Sequence, residues 1–242
     1  MPGTLALDIG ALRGSFSSRM LDLVGRDGSV HAFEPNPAHQ HRLQALAAHG
    51  RLDVHALALS DRTGQATLRI PLHDGRTVAG LASLEVRSGG DSETVEVATG
   101  RLDDVLPASS PVRFIKCDVE GHEDAVFRGA RELLTRQRPS ILVEIEARHR
   151  TDGVSRIFDH FSALQYAGWA VFPAGLRPLD AFDLERDQLR FLTGDASRGA
   201  MPRGYVHNFL FVRPGVDLGS SLADPSLSAG SGDGRSRPRI SA

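Results

Sequence analysis

The sequence predicts an α/β fold, with helices packed on both faces of a doubly wound, mainly parallel sheet. Short apolar runs alternate with segments whose apolar residues recur at helical spacing, as expected when crossover helices join parallel strands. The chain has 242 residues, of which 40% are hydrophobic and 24% are charged. Those proportions suit one domain with a sizeable buried core and exclude a chain that is disordered throughout.

The first half of the chain supplies three strands and two helices. Helix-end signals define the second helix best, because Asn36 is a good N-cap, Pro37 suits the first helical position and Gly50 ends the helix. The predicted elements are a strand at 5–9, a helix at 16–24, a strand at 30–33, a helix at 37–49 and a strand at 54–59.

The second half continues the alternation. A helix is predicted over 155–167, where Ile157, Phe161 and Leu164 share one face. The other predicted elements are strands at 114–117 and 141–145, a helix at 123–135, and a closing pair of strands at 169–172 and 209–212.

Two insertions interrupt this pattern, at about 62–112 and at 173–207. Within the first, 66–70 and 94–98 alternate in polarity like a small antiparallel ribbon. Long loops in compact domains often carry function, so both insertions are candidates for substrate contact.

The domain is expected to span residues 1–215, followed by a disordered tail over 216–242, where large apolar residues are few. The 28 basic and 30 acidic residues give a formal charge of -2, so no global field attracts nucleic acid or anionic lipid. A single cysteine, Cys117, and the lack of a leader or a long apolar run favour a cytoplasmic protein that does not enter a membrane. The sequence carries no signal for an oligomeric state.

A glycine-containing turn ends the first strand. Gly10 and Gly14 let the backbone approach a ligand closely, and the N-terminus of the next helix supplies free N–H groups. Glu34 ends the second strand, where a carboxylate is placed to accept both hydroxyls of a ribose. Together these features indicate a nucleotide-like cofactor, although such turns and turn acids also occur without a ligand.

Two classes of cofactor fit such a site. A nicotinamide site needs a second glycine to admit the pyrophosphate, and Leu12 stands at that position. Asp8, two residues before Gly10, instead suits a cofactor with an ammonium group and no phosphate, namely S-adenosylmethionine. An NAD-dependent oxidoreductase of Rossmann type is therefore the first alternative. A catalytically inactive cofactor-binding or scaffold protein is the second.

Acidic residues follow the later strands as well. The carboxyl ends of parallel strands share one edge of a sheet, where ligands bind. A negative rim at that edge favours a sulfonium cation over a pyrophosphate. The acids are Asp61 after the third strand, Asp118 and Glu120 after the fourth, and Glu144 and Glu146 at the fifth.

Several motifs occur in a fixed order along the chain. The most specific is Asp118-Val119-Glu120-Gly121. The others are Leu7 to Ala11, Ala32 to Pro37, Ala58 to Asp61, Arg128 to Ala130, Pro139 to Ile145 and Asn208 to Val212. In these motifs the chain resembles the FkbM-like S-adenosylmethionine-dependent methyltransferases, over roughly 5–214. Where that family often has asparagine after Gly-Ala, this chain has Leu12.

The resemblance implies a seven-stranded, Rossmann-like class I methyltransferase fold with strand order 3-2-1-4-5-7-6. It also implies methyl transfer to a hydroxyl on a sugar or another natural product, and so a small-molecule acceptor as partner. It brings no metal, and none is expected. The implied cofactor residues are Asp8, Gly10, Ala11 and Gly14 for the methionine end, Glu34, beside Pro35, for the ribose, Ala58, Ser60 and Asp61 for the adenine, and Asp118 beside the reacting centre.

The sequence does not identify the base that takes the acceptor proton. Such a base increases a reaction rate by about 10²- to 10⁴-fold. Asp118, Glu120 and His122 are the candidates, because all three follow the fourth strand closely. A helix-start residue with no catalytic role is the alternative for His122. Candidates for acceptor contact are Ser83, Glu144 and Glu146, each of which is otherwise an exposed loop or strand-end residue.

Overall fold

A mixed sheet of eight strands forms the centre of the computed structural model, which describes residues 3–48, 50–85, 91–149, 151–192, 202–216 and 218. In spatial order its strands are β11 (Gly175–Pro178), β10 (Ala167–Phe172), β12 (Asn208–Val212), β9 (Ser140–Glu144), β8 (Val112–Cys117), β1 (Leu5–Ile9), β2 (Ser29–Phe33) and β3 (Leu52–His55). The pairings from β9 to β3 are parallel, and those that join β9, β12, β10 and β11 are antiparallel.

Seven α-helices lie between the strands in the described part of the chain. They are α1 (Ser15–Leu23), α2 (Pro37–Ala47), α3 (Leu102–Val105), α4 (Glu123–Arg128), α5 (Arg131–Gln137), α6 (Thr151–Ala163) and α7 (Leu184–Asp187). Of these, α1, α2, α4 and α5 are in the connections between parallel strands. The N-terminal signals at α2 are confirmed, because Pro37 is its first residue and the Asn36 side chain accepts a hydrogen bond from Ala38 N, whereas the helix ends at Ala47, two residues before the predicted end.

The sheet divides the core into two clusters. Ala6 of β1 packs with Met20 of α1 and Leu43 of α2, whereas Leu7 of β1 belongs to the cluster that contains Phe161 of α6. Because successive residues of a strand face opposite sides, helices cover both faces of the sheet. The doubly wound α/β class is confirmed.

The number of strands differs from the expectation. The seven expected strands occur in the expected order, as β3, β2, β1, β8, β9, β12 and β10. β11 then pairs antiparallel with β10 and makes the sheet eight-stranded and mixed, so the expectation of a seven-stranded, mainly parallel sheet was wrong. Four exposed or half-buried residues, Gly175–Pro178, form this edge strand, and their composition is that of a loop.

The prediction of one continuous strand at 54–59 was also wrong. The chain leaves the main sheet after His55 and enters a second sheet at β4 (Ala58–Leu59). Between them Leu57 packs on Gly100, where an added Cβ would lie 3.1 Å from Leu57 Cδ2. A continuous apolar run does not reveal that its two halves belong to different sheets.

The predicted helix at 123–135 is broken into α4 and α5. Gly129 lies at the break and passes so close to the turn after β4 that an added Cβ would stand 2.0 Å from the Ser60 carbonyl oxygen. The Gly129 carbonyl oxygen also accepts a hydrogen bond from Asp103 N. Tertiary contacts therefore end α4 at a position where the helical pattern of the sequence continues.

The second sheet has the order β4, β7 (Ser92–Gly100), β5 (Gly64–His73), β6 (Arg76–Thr77). The antiparallel pairing of β5 with β7 confirms the ribbon predicted from 66–70 and 94–98. A 3-10 turn at Ala79–Leu81 follows β6.

The predicted disordered tail lies outside the described residues, apart from 216 and 218. Within the part of the chain that the structure describes, no helix has both the length and the apolarity that crossing a membrane requires. Cys117, the last residue of β8, is completely buried, and burial raises the pKa of its thiol well above the ordinary value.

Candidate active site

A cleft of about 650 Å³ lies at the carboxyl ends of β1, β2 and β8. The loops after these strands form its floor and two of its walls, and Leu57, Ala58 and Leu59 contribute a third wall. Residues between the 3-10 turn and Leu84 line the opposite side. Its size is in the range of small-molecule sites, and its position is the one at which open α/β sheets bind ligands.

The glycine turn forms the floor of the cleft with backbone atoms. Gly10 has φ of 77°, and a Cβ added there would lie 1.8 Å from the Asp118 carbonyl oxygen. Gly14 also has a positive φ and packs against Leu43, away from the cleft lining. Ala11 is buried beneath the turn, where its N–H donates to Phe33 O.

Glu34 at the end of β2 joins two loops and lines the cleft. Its Oε2 accepts from Leu12 N and its Oε1 accepts from Asn36 N, both at 2.8 Å. Burial raises the pKa of Glu34 to about 7, although both N–H donors favour the charged form. Leu12, which stands where the resemblance suggested a lost polar contact, therefore contributes its backbone N–H to the turn.

Asp8 lies beneath the glycine turn, with no exposed surface. Its Oδ2 accepts from Ser17 Oγ at 2.6 Å, and among the described residues its Oδ1 has no hydrogen-bond partner. Burial raises the pKa of Asp8, while Ser17 and Lys116 act in the opposite direction. The carboxylate supports the turn from below and does not line the cleft.

Asp118 follows β8 and lines the cleft. Lys116 Nζ donates to its Oδ2 at 2.9 Å and lies 4.9 Å from the centre of the Phe16 ring. Burial opposes the charge of Lys116, but the carboxylates of Asp118 and Asp8 outweigh it and raise the lysine pKa. Lys116 was not singled out from the sequence, where it stands as the only lysine, two residues before Asp118.

The loop after Asp118 is held by Glu123, a second residue that sequence reasoning missed. Glu120 and Gly121 have positive φ, and Glu123 Oε1 accepts from Val119 N and Gly121 N. Burial raises the pKa of Glu123 to about 7. The sequence signal for this role is a glutamate at the first position of a helix, just after a glycine turn.

His122 lines the cleft and is engaged at both ring nitrogens. Its Nε2 lies 2.9 Å from Ser60 Oγ, and its Nδ1 lies 2.7 Å from Glu85 Oε1. Ser83 Oγ donates to the Glu120 carbonyl oxygen at 2.7 Å. These contacts join the first insertion to the loop after β8. Glu85 was missed because it lies 37 residues from His122 in sequence.

The remaining predicted site residues fall into two groups. Pro35 and Ala58 line the cleft beside Glu34, whereas Asp61 lies outside the cleft lining and accepts hydrogen bonds from Arg128. Ser60 is buried behind the wall, where its N–H donates to Gly100 O.

Glu144, the last residue of β9, and Glu146, in the loop that follows, lie in different environments. Glu144 is the neighbour of Asp118, because β8 and β9 pair with Cys117 opposite Val143. Burial, followed by the carboxylates of Asp118, Glu146 and Glu120, raises the pKa of Glu144 to about 9. Glu146 lies in a second cavity, against Arg148 and His149.

Comparison with known proteins now adds to this geometry. The model of the Methyltransferase FkbM domain matches residues 8–168. The chain belongs to this family. S-Adenosylmethionine is the cofactor that the family resemblance implied, and the expected family is confirmed. No curated protein sequence matches the chain.

A solved structure from the same family shares the fold. An FkbM methyltransferase from Methylobacillus flagellatus KT aligns with a TM-score of 0.54 at 17% identity, over 87% of this chain and 43% of that one. The chain thus spans less than half the length of that protein. Fibrillarin from Aeropyrum pernix, solved with natively bound S-adenosyl-L-methionine, aligns with a TM-score of 0.47 at 15% identity, over 87% of this chain and 66% of that one.

Proposed function

We propose that this FkbM-family protein uses S-adenosylmethionine to methylate a hydroxyl oxygen of a small-molecule acceptor such as a sugar or another natural product. One observation carries the proposal. The backbone of the Gly10 turn, the carboxylate of Glu34 and the carboxylate of Asp118 line the same cleft. These are the groups that a cofactor with a ribose and a cationic centre requires side by side.

The residues present fit that cofactor. Glycine at position 10 lets the loops after β1 and β8 lie in direct backbone contact, because an added Cβ would collide with the Asp118 carbonyl oxygen, and both loops line the cleft. An ionised carboxylate has about four acceptor sites, so Glu34 can hold its two N–H partners and still accept from ribose hydroxyls. Asp8 adds negative charge beneath the turn, and its buried Oδ1 has no hydrogen-bond partner among the described residues.

Asp118 is the best placed of the three candidate bases. His122 is engaged at both nitrogens, and Glu120 Oε2 lies 3.1 Å from His149 Nε2. Lys116 holds Asp118 through Oδ2, which leaves Oδ1 to accept the proton of an acceptor hydroxyl. Asp118 is thus the proposed base.

The other residues at the cleft position the acceptor and exclude water. S-Adenosylmethionine, when bound, supplies a methyl group that its positive sulfur has already activated. Ser83, which lines the cleft, is a candidate for contact with the acceptor, whereas Glu144 lies outside the cleft lining. Leu68, Ala82 and Leu84 give the opposite wall an apolar surface. Alignment of two reactants in such a site contributes about 7 to 11 kcal/mol.

Calorimetric titration with S-adenosylmethionine and with S-adenosylhomocysteine tests the cofactor. We expect the Glu34→Gln variant to bind each at least about tenfold more weakly, because a hydrogen bond to a charged group contributes about 1.5 to 3 kcal/mol. Glu132→Gln, which removes an exposed carboxylate on α5, is the matched control and should bind like the wild type. Absence of binding to the wild type, or equal binding by Glu34→Gln, would contradict the proposal.

Transfer of a labelled methyl group to a panel of hydroxylated acceptors tests the reaction. We expect Asp118→Asn to lose most of the rate while it still binds the cofactor. Tight binding without transfer to any acceptor would favour the inactive cofactor-binding protein. Binding of a reduced nicotinamide in place of S-adenosylmethionine would favour the oxidoreductase.

A further inference from the structure

A compact group of potential metal ligands lies beside the cleft, on the loops that follow β8 and β9. Glu120 comes from the first loop, and Glu146 and His149 come from the second. One ligand atom from each lies within 4.8 Å of the other two. None of the three belongs to the proposed cofactor residues at Asp8 and Glu34.

The local backbone brings these side chains together. His149 N donates to Glu146 O at 3.2 Å, and this turn places the two side chains on the same side of the loop. Gly121 permits the approach of the first loop, because an added Cβ would lie 2.7 Å from His149 Cβ. The Asp-Val-Glu-Gly motif therefore ends in a residue whose small size admits the histidine.

The distances suit two or three ligands of one ion. His149 Nε2 lies 3.1 Å from Glu120 Oε2 and 3.1 Å from Glu146 Oε2. Ligands about 2.1 Å from a metal ion stand about 3.0 Å apart when they subtend a right angle. His149 can therefore occupy a position next to either carboxylate in the coordination of one ion, and the two carboxylate oxygens lie within 4.8 Å of each other.

The burial of the ligand side chains is a second observation, independent of the distances between them. The side chains of Glu146 and His149 are 2% and 4% exposed. Within the described residues Glu146 Oε2 is buried and forms no hydrogen bond, although Arg148 Nε and His149 Nε2 lie next to it. Arg148 balances the charge of this buried oxygen without forming a well-aligned hydrogen bond to it, and coordination to a metal ion would supply a directed bond.

Arg148 supplies the positive charge that faces the two carboxylates of this group. Its Nε contacts Glu146 Oε2, and its terminal nitrogen lies 3.7 Å from Glu120 Oε2. One guanidinium faces two carboxylates here, and the Glu144 carboxyl lies near enough to interact with both. A divalent ion would compete with the guanidinium for the same oxygens and balance both charges.

We propose that Glu120, Glu146 and His149 bind a divalent metal ion. Carboxylate oxygens suit Mg²⁺ and Mn²⁺, and imidazole suits the later first-row ions, so Mn²⁺ is the best probe for a mixed set. The second cavity, of about 440 Å³, is lined by Glu146 and His149 and supplies the entry path. The remaining positions of the ion would be filled by water. This site departs from the expectation that the protein has no metal.

Mn²⁺ binding to the chelator-treated full chain tests the site. The free Mn²⁺ signal in electron paramagnetic resonance, titrated without S-adenosylmethionine, reports binding independently of the proposed cofactor. We expect saturable binding of one ion per chain. Glu146→Gln and His149→Gln should each weaken it by at least about tenfold. Glu132→Gln removes an exposed carboxylate on α5 and should bind like the wild type.

A second variant separates a metal site from a structural ion pair. Arg148→Gln removes the competing guanidinium and should bind Mn²⁺ more tightly than the wild type. Thermal unfolding monitored by circular dichroism confirms that each variant is folded, and added Mn²⁺ should raise Tm in the wild type and in Arg148→Gln. No saturable binding by the wild type, unchanged binding in Glu146→Gln and His149→Gln, or weaker binding in Arg148→Gln would overturn the proposal.

Discussion

The site consists of two halves, the cleft and its surroundings on the side of β1 and β2 and those on the side of β8 and β9, and the two halves hold their carboxylates in different ways. On the side of β1 and β2, Asp8 and Glu34 accept hydrogen bonds from a serine hydroxyl and from backbone N–H groups, which carry no charge. On the side of β8 and β9, Asp118 and Glu146 lie against Lys116 and Arg148. Neutral donors orient a carboxylate and leave its charge available to a ligand, whereas a cation cancels it. The first half is therefore suited to a cationic cofactor.

The largest effect is expected where the cation is removed from the second half. Lys116 is buried, and Lys116→Met leaves Asp118 without its partner. Loss of one member of a buried ion pair costs about 3 to 5 kcal/mol, and the 28% exposure of Asp118 reduces this to about 3 kcal/mol. Urea unfolding measures the difference. Adding Asp118→Asn should recover part of the loss, and a double variant no more stable than Lys116→Met would contradict the pairing.

Removal of a carboxylate from the first half should cost less. Glu34→Ala leaves the N–H groups of Leu12 and Asn36 without their acceptor, and we expect a loss of about 2 kcal/mol in the free energy of unfolding. Urea unfolding at pH 8, where Glu34 is mostly ionised, provides the value. Glu34→Gln retains one acceptor oxygen and should lose about half as much. Equal losses in the two variants would show that the carboxylate does not act through two bonds.

The pH dependence of stability distinguishes the halves further. Glu144 has its pKa raised from 4.5 to about 9, so between these values the folded state retains a proton that the unfolded state has released. Stability due to this group is full below about pH 4.5 and falls as the pH rises towards 9. Glu34 and Glu123, whose pKa values are raised to about 7, titrate in both proteins and cancel in the comparison, so between pH 7 and pH 8.5 Glu144→Gln should lose about 2 kcal/mol less stability than the wild type. Thermal unfolding at pH 7 and at pH 8.5 measures these losses of stability. Equal losses in the wild type and in Glu144→Gln would refute the raised pKa of Glu144.

The smallest effect is expected outside the cleft. Asp61 accepts from Arg128 at the surface, and its hydrogen bonds with that arginine lower the pKa of Asp61. Exposed ion pairs contribute little, so Asp61→Asn should change the free energy of unfolding by less than about 0.5 kcal/mol. The same variant, titrated with S-adenosylmethionine, should bind with nearly wild-type affinity because Asp61 is directed away from the cleft lining. A large loss of affinity would return Asp61 to the adenine site.

The sequence indicated the acidic residues of both halves but not the cations that face those of the second half. Asp8, Gly10 and Glu34 lie at the ends of buried strands, and local patterns reveal such positions. The cations of the second half are visible only in three dimensions, because Arg148 meets Glu120 across 28 residues and on a different loop. The switch of the chain between sheets after His55 and the helix break at Gly129 escaped prediction for the same reason, since each depends on a contact with a distant backbone segment.

Cys117 can report when the central sheet opens at β8. Because the chain contains one cysteine, a thiol reagent can modify only this position, in the strand of the second half that pairs with β1. Its complete burial and its raised thiol pKa keep it unreactive while β8 remains in place. The labelling rate would then report how often β8 becomes accessible to the reagent. A slower rate after a ligand is added would show that the ligand suppresses this opening.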